Sequence, residues 1–175
     1  MRRAALVALA FLVARELLAA GAMTLKIESP AFAEGSAIPR QYTCDGNGGS
    51  PPLTFSGVPA GTKGLALICD DPDAPSGVFV HWVLFDLPPA TAKLPESVPA
   101  GASPPTGGVQ GKNDFGKTGY GGPCPPSGTH RYEFKLYALD KELKLPPGSS
   151  KADVVAAMQG HGLAEAKLTG KYKRN

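Results

Sequence analysis

Glycine and proline recur along the whole of this chain, 22 and 18 of them in 175 residues, with no internal repeat. Proline fixes φ and removes an N–H, and glycine weakens any regular element, so the spacing between them limits how far a helix or strand can run. Only residues 151–158 make a good helix: Ser149 or Ser150 can cap it, Asp153 suits its first turn, and Gly160 and Gly162 end it. The remainder breaks into short apolar segments. Strands are expected over 23–27, 53–55, 65–69 (continuously apolar, hence central), 79–87, 131–140 and 163–172. Residues 58–63 read as a hairpin turn and 88–108 as a long loop. Strands parted by Pro/Gly turns, with one late helix, predict a mainly β fold: an antiparallel β-sandwich with one short helix near the C-terminus. The length suffices for one domain with a real core.

The N-terminus reads as a targeting segment. Met1-Arg2-Arg3 is basic, 4–14 is apolar, and Ala20-Gly21-Ala22 fits a small-x-small cleavage site, although Arg15-Glu16 interrupts the pattern. Residues 1–22 are therefore expected to be a signal peptide, with 23–175 a single domain in the periplasm or outside the cell. The alternative is a cytoplasmic protein that starts at Met23. The apolar run is too short to span a membrane, so no integral membrane segment is expected. Cleavage would leave 15 basic and 14 acidic residues. A nearly neutral surface lacks the charge that nucleic-acid binding draws on.

Of the three cysteines, Cys69 sits in the apolar run 65–69 and reads as a buried free thiol. Cys44 and Cys124 both lie in Gly-rich loops and are expected to pair; three free thiols in a cytosolic protein is the alternative. None has the Cys-x-x-Cys spacing of a zinc site.

Two stretches join a rigid Pro/Gly loop to a polar residue entering an apolar strand. One is Asp70-Asp71-Pro72-Asp73-Ala74-Pro75-Ser76, followed by His81-Trp82. The other runs from Gly111-Lys112-Asn113-Asp114-Phe115-Gly116 through Tyr120-Gly121-Gly122-Pro123-Cys124-Pro125-Pro126 to Gly128-Thr129-His130-Arg131-Tyr132. Singly, Asp-Pro-Asp is a turn former, each histidine a hydrogen-bonded core residue, and Trp82 a core side chain. Strict alternation puts Val80, Trp82 and Leu84 on one face and His81, Val83 and Phe85 on the other; His130 and Tyr132 share a face. Together, two histidines at strand ends, two carboxylates in one loop and Tyr132 can face one cavity. Imidazoles and the backbone N–H groups of Gly121-Gly122 suit an anion with a phosphoryl group, while the carboxylates suit an ammonium. Two His and two Asp are also a legitimate metal set, but with no helical spacing, from separate segments; no metal or cofactor is expected. Ser76, Ser127 and Thr129 lie nearby without a nucleophile elbow. His161 reads as a cap or surface residue.

Asp71-Pro72-Asp73-Ala74-Pro75, His81-Trp82 and Gly128-Thr129-His130-Arg131-Tyr132 resemble the phosphatidylethanolamine-binding protein family. Tyr42-Thr43-Cys44-Asp45-Gly46, Asn113-Asp114-Phe115-Gly116 and Tyr120-Gly121-Gly122-Pro123-Cys124-Pro125-Pro126 are similar to its bacterial, Raf-kinase-inhibitor-like branch. The resemblance implies an antiparallel β-sandwich with a small anion pocket lined by Asp71, Asp73, His81, Gly122, His130 and Tyr132. It implies non-enzymatic binding of a small phosphorylated or anionic ligand, such as a phospholipid head group or a phosphorylated side chain. Some relatives inhibit kinases or proteases, so inhibition of an unknown protein target through the pocket rim and loop 88–108 is the alternative. A hydrolase using Asp71 or His130 as general base is a third reading. Eukaryotic members carry a C-terminal helix beside the pocket; with none expected after 163–172, the pocket is expected to be more open.

Overall fold

A computed structural model describes residues 24–174; the expected signal peptide lies outside them. Eight strands form two antiparallel sheets. The small sheet is ordered β1-β2-β5, from Lys26–Glu28, Leu53–Ser56 and Lys93–Leu94. The large sheet is ordered β6-β4-β3-β7-β8, from Val109–Gln110, Phe79–Leu87, Gly64–Asp71, Thr129–Leu139 and Gly162–Lys173. The sheets face each other across one buried cluster. Leu25, Ile27, Leu53, Phe55 and Leu94 on the small-sheet side meet Leu67, Cys69, Trp82, Phe134 and Leu136 of the large sheet. Central β3 is buried along its length, as its unbroken apolar run requires.

The outer face of the large sheet is covered too, which is why β3 and β4 show little polar alternation. Ala66, Ile68, Val80, Val83 and Phe85 form a second cluster with Leu143 and with Val154 of α1, Lys151–Met158. That helix spans the segment expected from the sequence. Ser150 Oγ accepts from Asp153 N–H, and the Asp153 carboxylate accepts from Ser150 N–H at 2.9 Å, a capping box. Below it, buried Asp70 accepts from Lys151 Nζ at 2.8 Å and Lys135 Nζ at 3.1 Å, tying helix to sheet.

Three local expectations need correction. Residues 58–63 are not a hairpin turn: β2 pairs with β1 and β5, β3 with β4 and β7, so this segment crosses between sheets. The stretch 88–108 is not all loop, because β5 lies inside it and buries Leu94. Strict alternation fails in β4. Cys69 stands opposite Trp82, but Asp70 stands opposite Val80, so His81 is an extra residue in a β-bulge. The bulge moves Val80 to the outer cluster and leaves the His81 ring against Tyr132, which belongs with Trp82 to the inner cluster.

Candidate functional site

The expected site residues gather at one end of the large sheet, where β3 ends in a turn, β4 carries its bulge and β7 begins. At the end of β3, Asp71 Oδ1 accepts from Asp73 N–H at 2.8 Å, closing an Asx turn that Pro72 favours. Its other oxygen, Oδ2, takes His130 Nδ1 at 2.7 Å from the start of β7. Both side chains are buried, at 4 % and 8 % exposure. A carboxylate only accepts, so Nδ1 carries the proton and Nε2 is the free nitrogen of His130.

His81 reaches the same state by another route. Its Nδ1 donates to Gly121 O at 2.7 Å, and Gly121 N–H returns a bond to His81 O at 2.8 Å. A carbonyl also only accepts, so Nε2 is again the free nitrogen. Three aromatic rings surround this imidazole: Tyr132 at 5.1 Å, Phe79 at 5.2 Å and Phe115 at 5.3 Å between centroids. A Cβ on Gly121 would lie 2.5 Å from the Phe115 ring, so glycine is required there. Burial pushes the His81 imidazole below the ordinary histidine value, against the raising influence of the Gly121 carbonyl and of Asp71 and Asp70.

Asp71, His81 and His130 together wall a cavity of about 220 Å³. The remaining wall is mainly apolar, with Pro75, Phe79, Phe115 and Pro126, and carries no lysine or arginine. A larger cleft of about 720 Å³ between β1, β8 and the segment after β1 contains none of the residues singled out above. Among the described residues, no cluster of three or more His, Cys, Asp or Glu could hold a metal ion.

The other three expected site residues are not walls of this cavity. Tyr132 stands behind it, fully buried against His81, and its hydroxyl lacks a good hydrogen-bond partner. Burial, then the Asp71 charge, pushes that phenol far above its ordinary value. Gly122 serves close packing: a Cβ there would lie 3.0 Å from Thr43 backbone atoms. Beside it Cys44 N–H donates to Pro123 O at 3.0 Å, and Cys44 and Cys124 form a disulfide, as expected. Cys124 is itself a cavity wall. Cys69 is the buried free thiol.

Asp73 turns outward and clamps Arg131, accepting from Nη2 at 2.6 Å and from Nε and backbone N–H at 2.9 Å each. The Arg131 guanidinium holds its carboxyl at about 2, below the usual 3.8. A lowered carboxyl value stabilises the fold above pH 3.8, and that contribution is lost as pH falls through about 2. Acid titrations of unfolding should therefore show a steeper loss of stability between about pH 4 and pH 2 in wild type than in Arg131→Leu. Equal slopes would remove this role.

Phe79 and Phe115 are walls that no periodicity in the sequence marks. Phe115 lies in the Asn113-Asp114-Phe115-Gly116 motif, whose polar residues build its perch. Asp114 Oδ2 accepts from Val80 N–H at 2.8 Å, and Asn113 Nδ2 donates to Gly119 O at 2.9 Å.

Comparison with known proteins places this geometry in a family. Residues 28–173 match the profile of the phosphatidylethanolamine-binding protein family. A UPF0098 protein of Methanothermobacter thermautotrophicus is 57 % identical over 150 residues, covering 86 % of this chain and 99 % of that protein. A UPF0098 protein of Aquifex aeolicus is 49 % identical, covering 91 % and 95 %. The crystal structure of CT736 from Chlamydia trachomatis, a phosphatidylethanolamine-binding protein homologue, superposes with TM-score 0.81 at 41 % identity, covering 87 % of this chain and 99 % of that one. Escherichia coli YbcL gives 0.79 at 35 % identity, covering 86 % and 99 %.

Proposed function

The chain belongs to the phosphatidylethanolamine-binding protein family, and on that premise we propose that it binds a small anionic or phosphorylated group in the cavity walled by Asp71, His81 and His130. The phosphoryl group of a phospholipid head group or of a phosphorylated side chain has this chemistry. The observation that carries the reading is that both imidazoles are anchored through Nδ1 beside one small cavity. Anchoring fixes the rings without spending the second nitrogen, and a protonated Nε2 donates a charge-assisted bond to a phosphoryl oxygen. Tyr132 backs the His81 ring, Asp73 braces the Asp71 turn through Arg131, and Gly122 admits the disulfide-bearing segment.

The wall has no fixed cation, so affinity for an anion depends on imidazole protonation. His81 titrates below 6.5, and an anion favours its charged form. Dimethyl phosphate, a monoanion at all relevant pH, should bind more tightly as pH falls below about 6.5, by up to tenfold per unit for one linked proton. The His81→Gln variant should show a shallower dependence. A dissociation constant unchanged between pH 5 and pH 7 would contradict this reading. NMR shifts of His81 and His130 on titration with phosphoethanolamine or phosphotyrosine test occupancy, and no response at millimolar ligand would overturn it.

A second reading, modulation of a protease or kinase, is favoured by the ordering of the 88–108 stretch. Buried Gln110 donates to Pro99 O at 2.9 Å and Gly101 O at 2.8 Å while accepting from Trp82 Nε1 at 2.8 Å. A segment so tied presents a fixed surface at little ordering cost. Replacing only 100–107 with a Gly-Ser linker would spare β5; a partner still captured afterwards would dismiss this surface.

The disulfide also supports an oxidising compartment, consistent with export and cleavage after Ala22. No helix among the described residues is long and apolar enough to cross a membrane. Intact-mass measurement of native protein, with and without reduction and alkylation, would report both cleavage and the bridge.

A further inference from the structure

We propose that the same cavity also hydrolyses small uncharged carboxylic esters, with His130 as general base and Asp71 as its positioning residue. The proposal rests on the cavity described above but asks more of it than anion binding. Holding an anion requires only a proton on the nitrogen that faces the ligand. His130 is braced well beyond that need. Asp71 Oδ2 fixes its Nδ1 at 2.7 Å, and Asp71 Oδ1 is itself held by Asp73 N–H at 2.8 Å, so the carboxylate cannot turn. The residues that follow each partner, Asp73 in the turn and Arg131 in β7, are joined by three bonds of 2.6–2.9 Å. A buried carboxylate on Nδ1 orients the ring, sets its tautomer and balances charge as Nε2 takes up a proton; this is how the acid serves the histidine in serine hydrolases.

The wall selects the substrate. It holds one carboxylate, no lysine or arginine, and the apolar Pro75, Phe79, Phe115 and Pro126. An uncharged ester enters such a site without a desolvation penalty for a charge. At about 220 Å³ the cavity is smaller than a drug-sized pocket, so acyl and leaving groups of a few carbons fit.

In the reaction, His130 Nε2 takes a proton from water as the water oxygen bonds to the ester carbonyl carbon. The tetrahedral intermediate collapses, the bond from carbon to the alcohol oxygen breaks, and His130 returns the proton to the departing alkoxide. A carboxylic acid and an alcohol result, and water is the only co-reactant.

The experiment follows turnover of p-nitrophenyl acetate by absorbance and of ethyl acetate by pH-stat, using the full chain. Variants are His130→Gln, Asp71→Asn and His161→Gln. His161 is the internal control: it makes the same contact with Asp140, Nδ1 to Oδ1 at 2.8 Å, but at the exposed surface. Expected results are many turnovers per protein, a 10²–10⁴-fold fall in kcat/KM for His130→Gln, and no change for His161→Gln. Asp71→Asn should lower kcat with KM held and displace the pH profile, which loss of a purely structural contact would not do. Wild-type turnover should be competitively blocked by dimethyl phosphate, a measurement that survives any folding failure in the variants. Turnover equal in wild type and His130→Gln, or untouched by dimethyl phosphate at concentrations where the NMR titration shows the cavity filled, would overturn the proposal. Phosphate binding without turnover would end this activity and leave the binding reading intact; turnover dependent on His130 without phosphate binding would do the reverse.

Discussion

Replacing His130 with alanine is expected to destabilise the protein by about 3–5 kcal/mol, far more than loss of a surface histidine. The reason lies in what is left behind. The Asp71 side chain is 4 % exposed, and its Oδ2 would lose the His130 Nδ1 proton 2.7 Å away. A buried carboxylate with a missing partner bears most of the desolvation cost that the pair had offset. Asp73 N–H still serves Oδ1, so the turn persists while the strand end loosens. The same logic sets the sign of the double variant. Adding Asp71→Asn removes the stranded charge, so His130→Ala/Asp71→Asn should be more stable than the sum of the single changes by about 0.5–3 kcal/mol. Denaturant unfolding of all four proteins measures this directly, and additive costs would show that the two side chains are not coupled.

Loss of the disulfide should be comparably severe. Cys44 and Cys124 are 80 residues apart in sequence, so their bridge closes a long loop in the unfolded chain. The chain-entropy relation assigns such a loop roughly 4–5 kcal/mol. The paired variant Cys44→Ser/Cys124→Ser should lose about that much, as should wild type after reduction. Part of the attachment survives without the bridge, since Tyr120 Oη donates to Tyr42 O at 3.0 Å and Cys44 N–H to Pro123 O. The folded state should therefore keep its sheets while the cavity wall at Cys124 slackens. Unchanged stability on reduction would mean that the bridge is absent in solution.

Much of this could be read from the chain alone, because the signals were local. The helix at Lys151–Met158 announces itself through Ser150, Asp153 and the glycines beyond it. The continuous apolar run around Ile68 marks a strand buried on both faces, and the Asp-Pro-Asp loop marks the turn at Asp71. What stayed hidden depends on pairing between distant segments. The bulge that turns His81 inward exists only in the register between β3 and β4; strict alternation assigns that ring to the opposite face. Residues 58–63 carry turn formers that look the same whether the chain folds back or crosses to another sheet. Asp73 looks like a partner for Asp71 until Arg131, almost sixty positions on, draws it outward. Phe115 has no apolar periodicity around it; only Gly121, which leaves room for its ring, accounts for its place beside His81.

The most direct test is to record the ring-nitrogen NMR resonances of His81 and His130 in the full chain, before and during titration with dimethyl phosphate. The structure requires a protonated Nδ1 on both rings in the free protein, held by Gly121 O and by Asp71. On titration, the two Nε2 resonances should then move together along one saturation curve. A bare Nδ1 on either ring, or a response from one ring alone, would contradict the presence of two anchored imidazoles beside one cavity.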